Sequence, residues 1–139
     1  MHVLVIYEST RGRTKAMAEA ICKGVLEAGK KCKLITPNKF TGLENACAIA
    51  IGSSTRMKRP LPGVRSLLDE IEIEEGFAVY SFGSYGWSGE APDEILDKLM
   101  ERGGIAAIEK PLKVKDHPSD EDIVRCRETG RKLSELCVK

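Results

Sequence analysis

Three short segments of this chain gather residue types that bind ligands rather than fill a core. The first is Glu8-Ser9-Thr10-Arg11-Gly12-Arg13-Thr14-Lys15, which lies between an apolar run and the start of a helical pattern. A helix beginning there directs free backbone N–H groups and about half a positive charge into the loop. Ser9, Thr10 and Thr14 add hydroxyl donors, Arg11 and Arg13 add charge, and Gly12 lets the backbone approach a ligand closely. This is the chemistry of an anion cradle. A simple capped turn, with Thr14 as N-cap, would need only one of those hydroxyls. The segment matches neither G-x-x-x-x-G-K-[ST] nor G-x-G-x-x-G, so a nucleoside triphosphatase loop is not expected.

The second segment is Gly52-Ser53-Ser54-Thr55-Arg56-Met57-Lys58-Arg59-Pro60, with hydroxyls directly after an apolar run and then three basic residues within four positions. Lys58 and Arg59 read equally as ligand contacts or as a solvated loop. The third, Gly83-Ser84-Tyr85-Gly86-Trp87-Ser88-Gly89, places the chain's one tryptophan in a glycine-rich stretch. An aromatic in such a loop is a platform for a planar ring; folded back, Trp87 would instead be a hydrophobic plug. Two histidines and five cysteines without a C-x-x-C spacing supply a zinc or di-iron site poorly, so no metal ligands are assigned. The cysteines read as mostly buried thiols.

The elements that position these segments follow from periodicity. Val3 to Tyr7, Ala46 to Ile51, Phe77 to Phe82 and Ile105 to Ile108 are apolar runs of strand length, and Lys33 to Thr36 is a shorter strand. Between them lie helical patterns over 14–28, 62–74 and 91–102. A last helix starts near Ser119, whose hydroxyl, with Asp122 three residues on, makes a capping-box pattern. Uniformly apolar strands alternating with helices predict a parallel sheet covered on both faces, hence an α/β three-layer sandwich. The 139 residues suit a single domain over 1–139 with five parallel strands in the order 2-1-3-4-5. In that topology ligands sit beyond the carboxyl ends of the strands, at the switch point, where the three segments converge. A phosphoacceptor receiver shares the topology, but it needs an Asp ending the third strand and paired acids after the first. This chain has Gly52 and Glu8 there.

The net charge of +1 excludes a strongly basic nucleic-acid binder, yet it conceals a dipole. Residues 1–66 hold 12 basic and 4 acidic groups, whereas residues 67–139 hold 10 and 17. No apolar run approaches the ~20 residues of a membrane span. The N-terminal stretch lacks a basic leader and cleavage site, so a cytoplasmic protein without membrane or nucleic-acid partners is expected.

At this point the residues resemble a known family. Tyr7 to Thr14 is similar to the FMN-phosphate loop of flavodoxins, roughly S/T-x-T-G-x-T, with Ser9, Gly12 and Thr14 matching and Arg11 departing. Phe82 to Gly89 resembles the FMN-ring loop in the flavodoxin domain of flavodiiron proteins (A-type flavoproteins). Pro118 to Leu133, with Cys126 and Gly130, resembles that domain's last helix. Ser54-Thr55-Arg56-Met57 stands where that family usually carries a Pro and an aromatic or Asn residues. No H-x-[HE]-x-D cluster of a di-iron domain is present, so oxygen or nitric oxide reduction is not expected.

The resemblance implies a flavodoxin-like fold holding FMN non-covalently. The phosphate would lie on Ser9, Thr10, Arg11, Gly12, Arg13 and Thr14. The ring would lie between Ser53, Ser54, Thr55, Arg56 and Met57 on one side and Gly83, Ser84, Tyr85, Gly86 and Trp87 on the other. The implied function is electron transfer to a redox partner protein, an acidic one given the basic loops, by a monomer or homodimer. No protein side chain is then required as a general acid or base, since the cofactor supplies the redox chemistry. Two other readings stand beside it. Ser9-Thr10-Arg11-Gly12-Arg13-Thr14 also resembles the S-x-R-x-x-[ST] loop of NAD(P)H-dependent FMN or quinone reductases, with Arg56, Lys58 and Arg59 placed for a 2′-phosphate. The third reading is a binding module that has lost FMN.

Overall fold

A computed structural model describes residues Met1–Cys137. The first strand, β1 (His2–Glu8), is buried on both faces over Val3, Leu4, Val5 and Ile6, which is why it carries no alternation of polar residues. It pairs in parallel with β2 (Lys31–Ile35) on one side and β3 (Ala46–Ser53) on the other. β3 pairs with a later strand, β6 (Ala78–Tyr85), again in parallel.

The outer edge of β6 is occupied by two short parallel strands in succession. β7 (Ile105–Ala106) pairs with Ala78 and Val79, and β8 (Leu112–Lys115) pairs with Phe82 to Tyr85. The sheet thus has six strands, where the sequence predicts five. Of the expected final strand, Ile105 to Ile108, only Ile105 and Ala106 pair, with Ile105 61% exposed, and the edge resumes at Leu112–Lys115, outside the range the sequence predicts. Pro111 lies immediately before β8; it has no N–H to donate, which suits a break in the ladder. Counting β7 and β8 as one interrupted strand returns the order 2-1-3-4-5.

Two further differences bear on the site. The segment after β3 is a hairpin, β4 (Thr55–Arg56) antiparallel to β5 (Arg59–Pro60), rather than a plain loop. β6 continues to Tyr85, so Gly83, Ser84 and Tyr85 belong to the strand and the loop proper starts at Gly86.

Helices cover both faces. α1 (Arg13–Glu27) and α4 (Asp120–Ser134) pack on one, burying Met17, Ile21, Val25, Cys126 and Leu133 against Val3, Val5 and Phe82. α2 (Pro62–Glu70) and α3 (Ala91–Glu101) pack on the other, burying Val64, Leu68, Ile95 and Leu99 against Leu4, Ile6, Ile49 and Ile51. The alternation of β1 residues between the two cores is the strand period of two. α2 stops at Glu70 rather than running to residue 74; Ile71 is extended and buried, and Glu72 to Glu75 lie outside the helix. The capping box on α4 is present: Asp122 N–H donates to Ser119 Oγ, and Ser119 N–H donates to Asp122 Oδ2.

The cysteines depart from the sequence reading. Cys22 on α1 is bonded to Cys32 on β2, and Cys47 on β3 to Cys137, with Cα separations of 5.5 and 5.1 Å. Only Cys126 is a buried thiol. The pairings join residues 10 and 90 positions apart, so they depend on which strands adjoin and not on local spacing.

Candidate cofactor site

The carboxyl ends of β1, β3 and β6 open onto a cleft of about 360 Å³ lined by Thr10, Arg11, Arg13, Ser54, Thr55, Ser84, Tyr85, Gly86 and Trp87. All three predicted segments contribute, so the convergence expected at the switch point is present. Of the sixteen candidate residues, nine line this cleft. Ser9, Gly12, Thr14, Ser53, Arg56, Met57 and Gly83 do not.

The first segment forms a turn in which Gly12 N–H donates to Ser9 Oγ at 3.0 Å. Gly12 takes φ +81°, a conformation that favours glycine, and is itself the N-cap of α1. No side chain caps α1, and its first turn holds no acidic residue. The amides at the head of a 15-residue helix are therefore left open beside Arg11 and Arg13. An anion satisfies donors arranged in this way.

Thr14 also has partners within the protein. It is fully buried, and its Oγ1 accepts from Ser84 N–H at 3.2 Å. The same oxygen shares hydrogen bonds with Ser84 Oγ at 2.8 Å and Ser54 Oγ at 3.2 Å. One hydroxyl at the head of α1 thus ties together the segment after β3 and the end of β6. Ser53 is also internal: its Oγ accepts from Leu61 N–H and donates to the Ser54 carbonyl, closing the base of the β4–β5 hairpin. Gly83 is confined by packing, since a Cβ there would collide with the Ser53 carbonyl oxygen.

The hairpin is anchored to α3. Ala91 N–H donates to Thr55 Oγ1, and Arg59 makes a two-pronged ion pair with Glu94 at 3.1 and 2.6 Å. The Arg59 hydrogen bond holds the Glu94 carboxyl below its usual pKa. Arg59, which the sequence leaves open between a ligand contact and a solvated loop, thereby fastens the hairpin to α3. Arg13 lies 3.8 Å from Asp116, which follows β8. Among the described residues, Arg11, Arg56 and Lys58 enter no ion pair. Glu90 is held below its usual pKa by a hydrogen bond from Ser88, with smaller contributions from Lys58 and Lys113. Glu8 was not among the candidates, yet its carboxylate accepts from Val64 N–H at 2.9 Å and so fastens the end of β1 to the head of α2. Its position directly after the first apolar run was the available signal.

Trp87 is 95% exposed at the mouth of the cleft, so it is no hydrophobic plug. Among the described residues no group of three His, Cys, Asp or Glu side chains could hold a metal, and no helix is long and apolar enough to cross a membrane.

The cleft brings the open amides of α1 and the side chains of Arg11 and Arg13 together with Tyr85 and Trp87, donors for an anion and surfaces for a planar ring. Comparisons with known proteins agree. Residues 5–130 match the flavodoxin family. The anaerobic nitric oxide reductase flavorubredoxin of Aeromonas hydrophila is 32% identical over 142 residues, covering 95% of this chain and 28% of that protein. The putative diflavin flavoprotein A 5 of Nostoc is 33% identical, covering 99% of this chain and 25% of that protein. The chain thus spans roughly a quarter of the length of these curated relatives. A solved flavodoxin from the domain Archaea superposes with a TM-score of 0.91 at 36% identity, covering 97% of both chains. By sequence match, likeness of fold and a fitting cleft, the chain belongs to the flavodoxin family, whose cofactor is FMN.

Proposed function

We propose that this protein is an FMN-carrying electron-transfer protein that exchanges electrons with a separate redox partner. The observation that carries the reading is the uncapped head of α1, open beside Arg11 and Arg13, which line one cleft together with Tyr85 and Trp87. FMN, when bound, supplies the one- and two-electron chemistry. The protein's own residues bind and orient it: Thr10, Arg11, Arg13 and the first amides of α1 toward the phosphate, Ser54, Thr55, Ser84, Tyr85, Gly86 and Trp87 toward the remainder. Thr14, Ser53 and Glu8 hold those loops in register.

Cations in these loops also set the electrostatics. One positive charge at about 6 Å, in an effective dielectric of ~20, favours an added negative charge by roughly 3 kcal/mol. That is on the order of 100 mV for one electron. Bound FMN should therefore be less strongly reducing than in a cleft rimmed by carboxylates, and Arg11, Arg56 and Lys58, without ion pairs among the described residues, suit an acidic partner. The arginine at position 11 also supports a second reading, direct reduction by NAD(P)H.

Titration of FMN into the purified protein tests binding through quenching of flavin fluorescence. Mixing the loaded protein with NADPH under nitrogen separates the two readings. A carrier keeps its yellow colour for minutes, whereas a reductase bleaches rapidly. Unquenched FMN at micromolar protein would overturn both.

A further inference from the structure

A second depression lies at the end of the molecule away from the cofactor cleft. Two adjoining cavities of about 520 and 490 Å³ share Leu43 and Glu72 between them, and each is larger than the cofactor cleft. Phe40 and Leu67 line the first, Ala46 and Phe77 the second. They open at the amino ends of the strands, since Ala46 begins β3 and Phe77 immediately precedes β6. A strand of seven residues, the length of β1, spans about 23 Å. The groove and the cofactor cleft are therefore separate sites.

Two stretches of the chain build this groove. The connection from β2 to β3 turns through Gly42 and Asn45, both at positive φ, and lays Phe40 and Leu43 on the core that α2 covers. Its end is tied down: His2 N–H donates to the Asn45 carbonyl at 2.9 Å, and Ala46 N–H to the Leu43 carbonyl at 3.0 Å. Beyond α2, Ile71 and Ile73 alternate with Glu72 and Glu74. Ile71 is buried and Ile73 packs on the same core, so the alternation leaves Glu72 and Glu74 exposed at the groove. With Glu44 and Glu70, four carboxylates line it. No lysine or arginine does, and none of the four enters an ion pair among the described residues. Arg102 reaches the same stretch, but it donates to the Asp69 and Ile71 carbonyls and lines neither cavity.

An apolar floor beneath unpaired carboxylates matches one side-chain chemistry. Lysine and arginine lay a methylene stem on apolar surface and carry the cation at its end, and aromatic rings add attraction for that cation. Carboxylates that repel one another in the free protein draw in a cationic partner and turn away acidic proteins, nucleic acid and anionic lipid. We infer that this groove is the docking surface for a basic segment of another protein, one in which lysines or arginines are interleaved with apolar side chains. The cations of the segment meet Glu44, Glu70, Glu72 and Glu74, and its apolar side chains cover Phe40, Leu43 and Phe77. The acidic excess of the second half of the chain thereby gains a location, at the end away from the basic loops. A protein seated here leaves the cofactor cleft open, and the inference does not depend on the electron-transfer reading.

The test uses the full chain, with and without added FMN, and fluorescein-labelled octapeptides followed by anisotropy. One peptide alternates lysine with leucine, a second lysine with serine, and a third glutamate with leucine. The expected result is saturable binding of the lysine–leucine peptide, with and without FMN, and at least about tenfold weaker binding of the other two, the affinity falling as salt is added. Glu72→Lys should weaken binding of the first peptide about tenfold and Glu74→Lys severalfold. Glu121→Lys, an equal change of charge on α4, should leave it nearly unchanged. Melting curves and FMN titrations of the Glu72 and Glu74 variants should match the parent, which separates a lost contact from a lost fold. Equal binding of the lysine–serine peptide would reduce the effect to bare charge attraction and overturn the docking surface. So would the same loss from Glu121→Lys as from Glu72→Lys, or no saturable binding of the lysine–leucine peptide. Displacement of that peptide by an equal concentration of spermine would assign the groove to a small polyamine and overturn the protein partner.

Discussion

Thr14 on α1 and Ser84 on β6, 70 residues apart in the chain, share a buried 2.8 Å hydrogen bond beneath the cofactor cleft. Ser84 N–H also donates to Thr14 Oγ1, and Ser54 Oγ reaches the same oxygen. The head of α1, the segment after β3 and the end of β6 are thus joined by one hydroxyl.

Replacing Thr14 by Val keeps the shape of the side chain and removes that oxygen. It leaves the Ser84 N–H and the hydroxyls of Ser84 and Ser54 without this buried partner. An unsatisfied buried donor costs about 1–3 kcal/mol, so unfolding in urea should show a loss of ~2 kcal/mol. FMN affinity should fall as well, because the loops lose their registration. A variant as stable as the parent would show that the bond is replaceable by water.

The contact between α1 and α4 gives a larger effect. Gly24 faces the Arg127 backbone carbonyl, and Gly130 faces that of Ile21, so closely that a Cβ at either position would overlap backbone atoms. Neither neighbour is a flexible side chain that could swing aside. Gly24→Ala must push the helices apart and should cost about 3 kcal/mol or more. A melting curve within two degrees of the parent would refute that account of the packing.

The cysteines make a prediction that can be counted. Thiol titration near pH 8 should find no reactive thiol in the native protein, one after denaturation, and five after denaturation with reduction. Cys126 is silent in the native state because burial pushes its thiol up to about 12. That shift has a sign. Between the ordinary thiol value near 9 and about 12 the unfolded chain releases a proton that the folded chain keeps. Stability should therefore fall as pH rises through that window, by up to about 1.4 kcal/mol per unit from this group. Cys126→Ala should flatten the alkaline slope. The Cys47–Cys137 bond closes a 90-residue loop; on the chain-entropy account, breaking it by Cys137→Ser should cost about 4–5 kcal/mol.

How much of this was legible in the sequence depends on range. The two faces of β1, the start of α4 at Ser119 and the convergence of three loops follow from local periodicity and strand-end topology. The disulfides do not, because Cys47 meets Cys137 only after the C-terminal segment returns to the sheet. Thr14 was assigned to the ligand on residue type and position in its loop, and Arg59 was left open between a ligand contact and a solvated loop. Their actual partners, Ser84 and Glu94, lie on elements whose register no local pattern reveals. The shortness of β7, and β8 beyond it, were missed for a related reason. Ile105 to Ile108 is apolar enough for a buried strand, but an edge position leaves Ile105 in solvent.

Arg11 offers the sharpest test of the cleft itself. It is exposed, lines the cleft at the uncapped head of α1, and enters no ion pair among the described residues. A charged hydrogen bond to phosphate is worth about 1.5–3 kcal/mol, less where solvent screens it. Arg11→Gln should therefore weaken FMN binding about tenfold, equivalent to ~1.4 kcal/mol. Riboflavin, which has the ring and polyol but no phosphate, should bind the variant and the parent alike. The salt dependence of FMN binding should also become shallower, since one cation has left the anion site. Both ligands can be followed by flavin fluorescence in the same buffer. An equal loss for riboflavin would place Arg11 against the ring rather than the phosphate, and would reverse the orientation of the cofactor in the cleft.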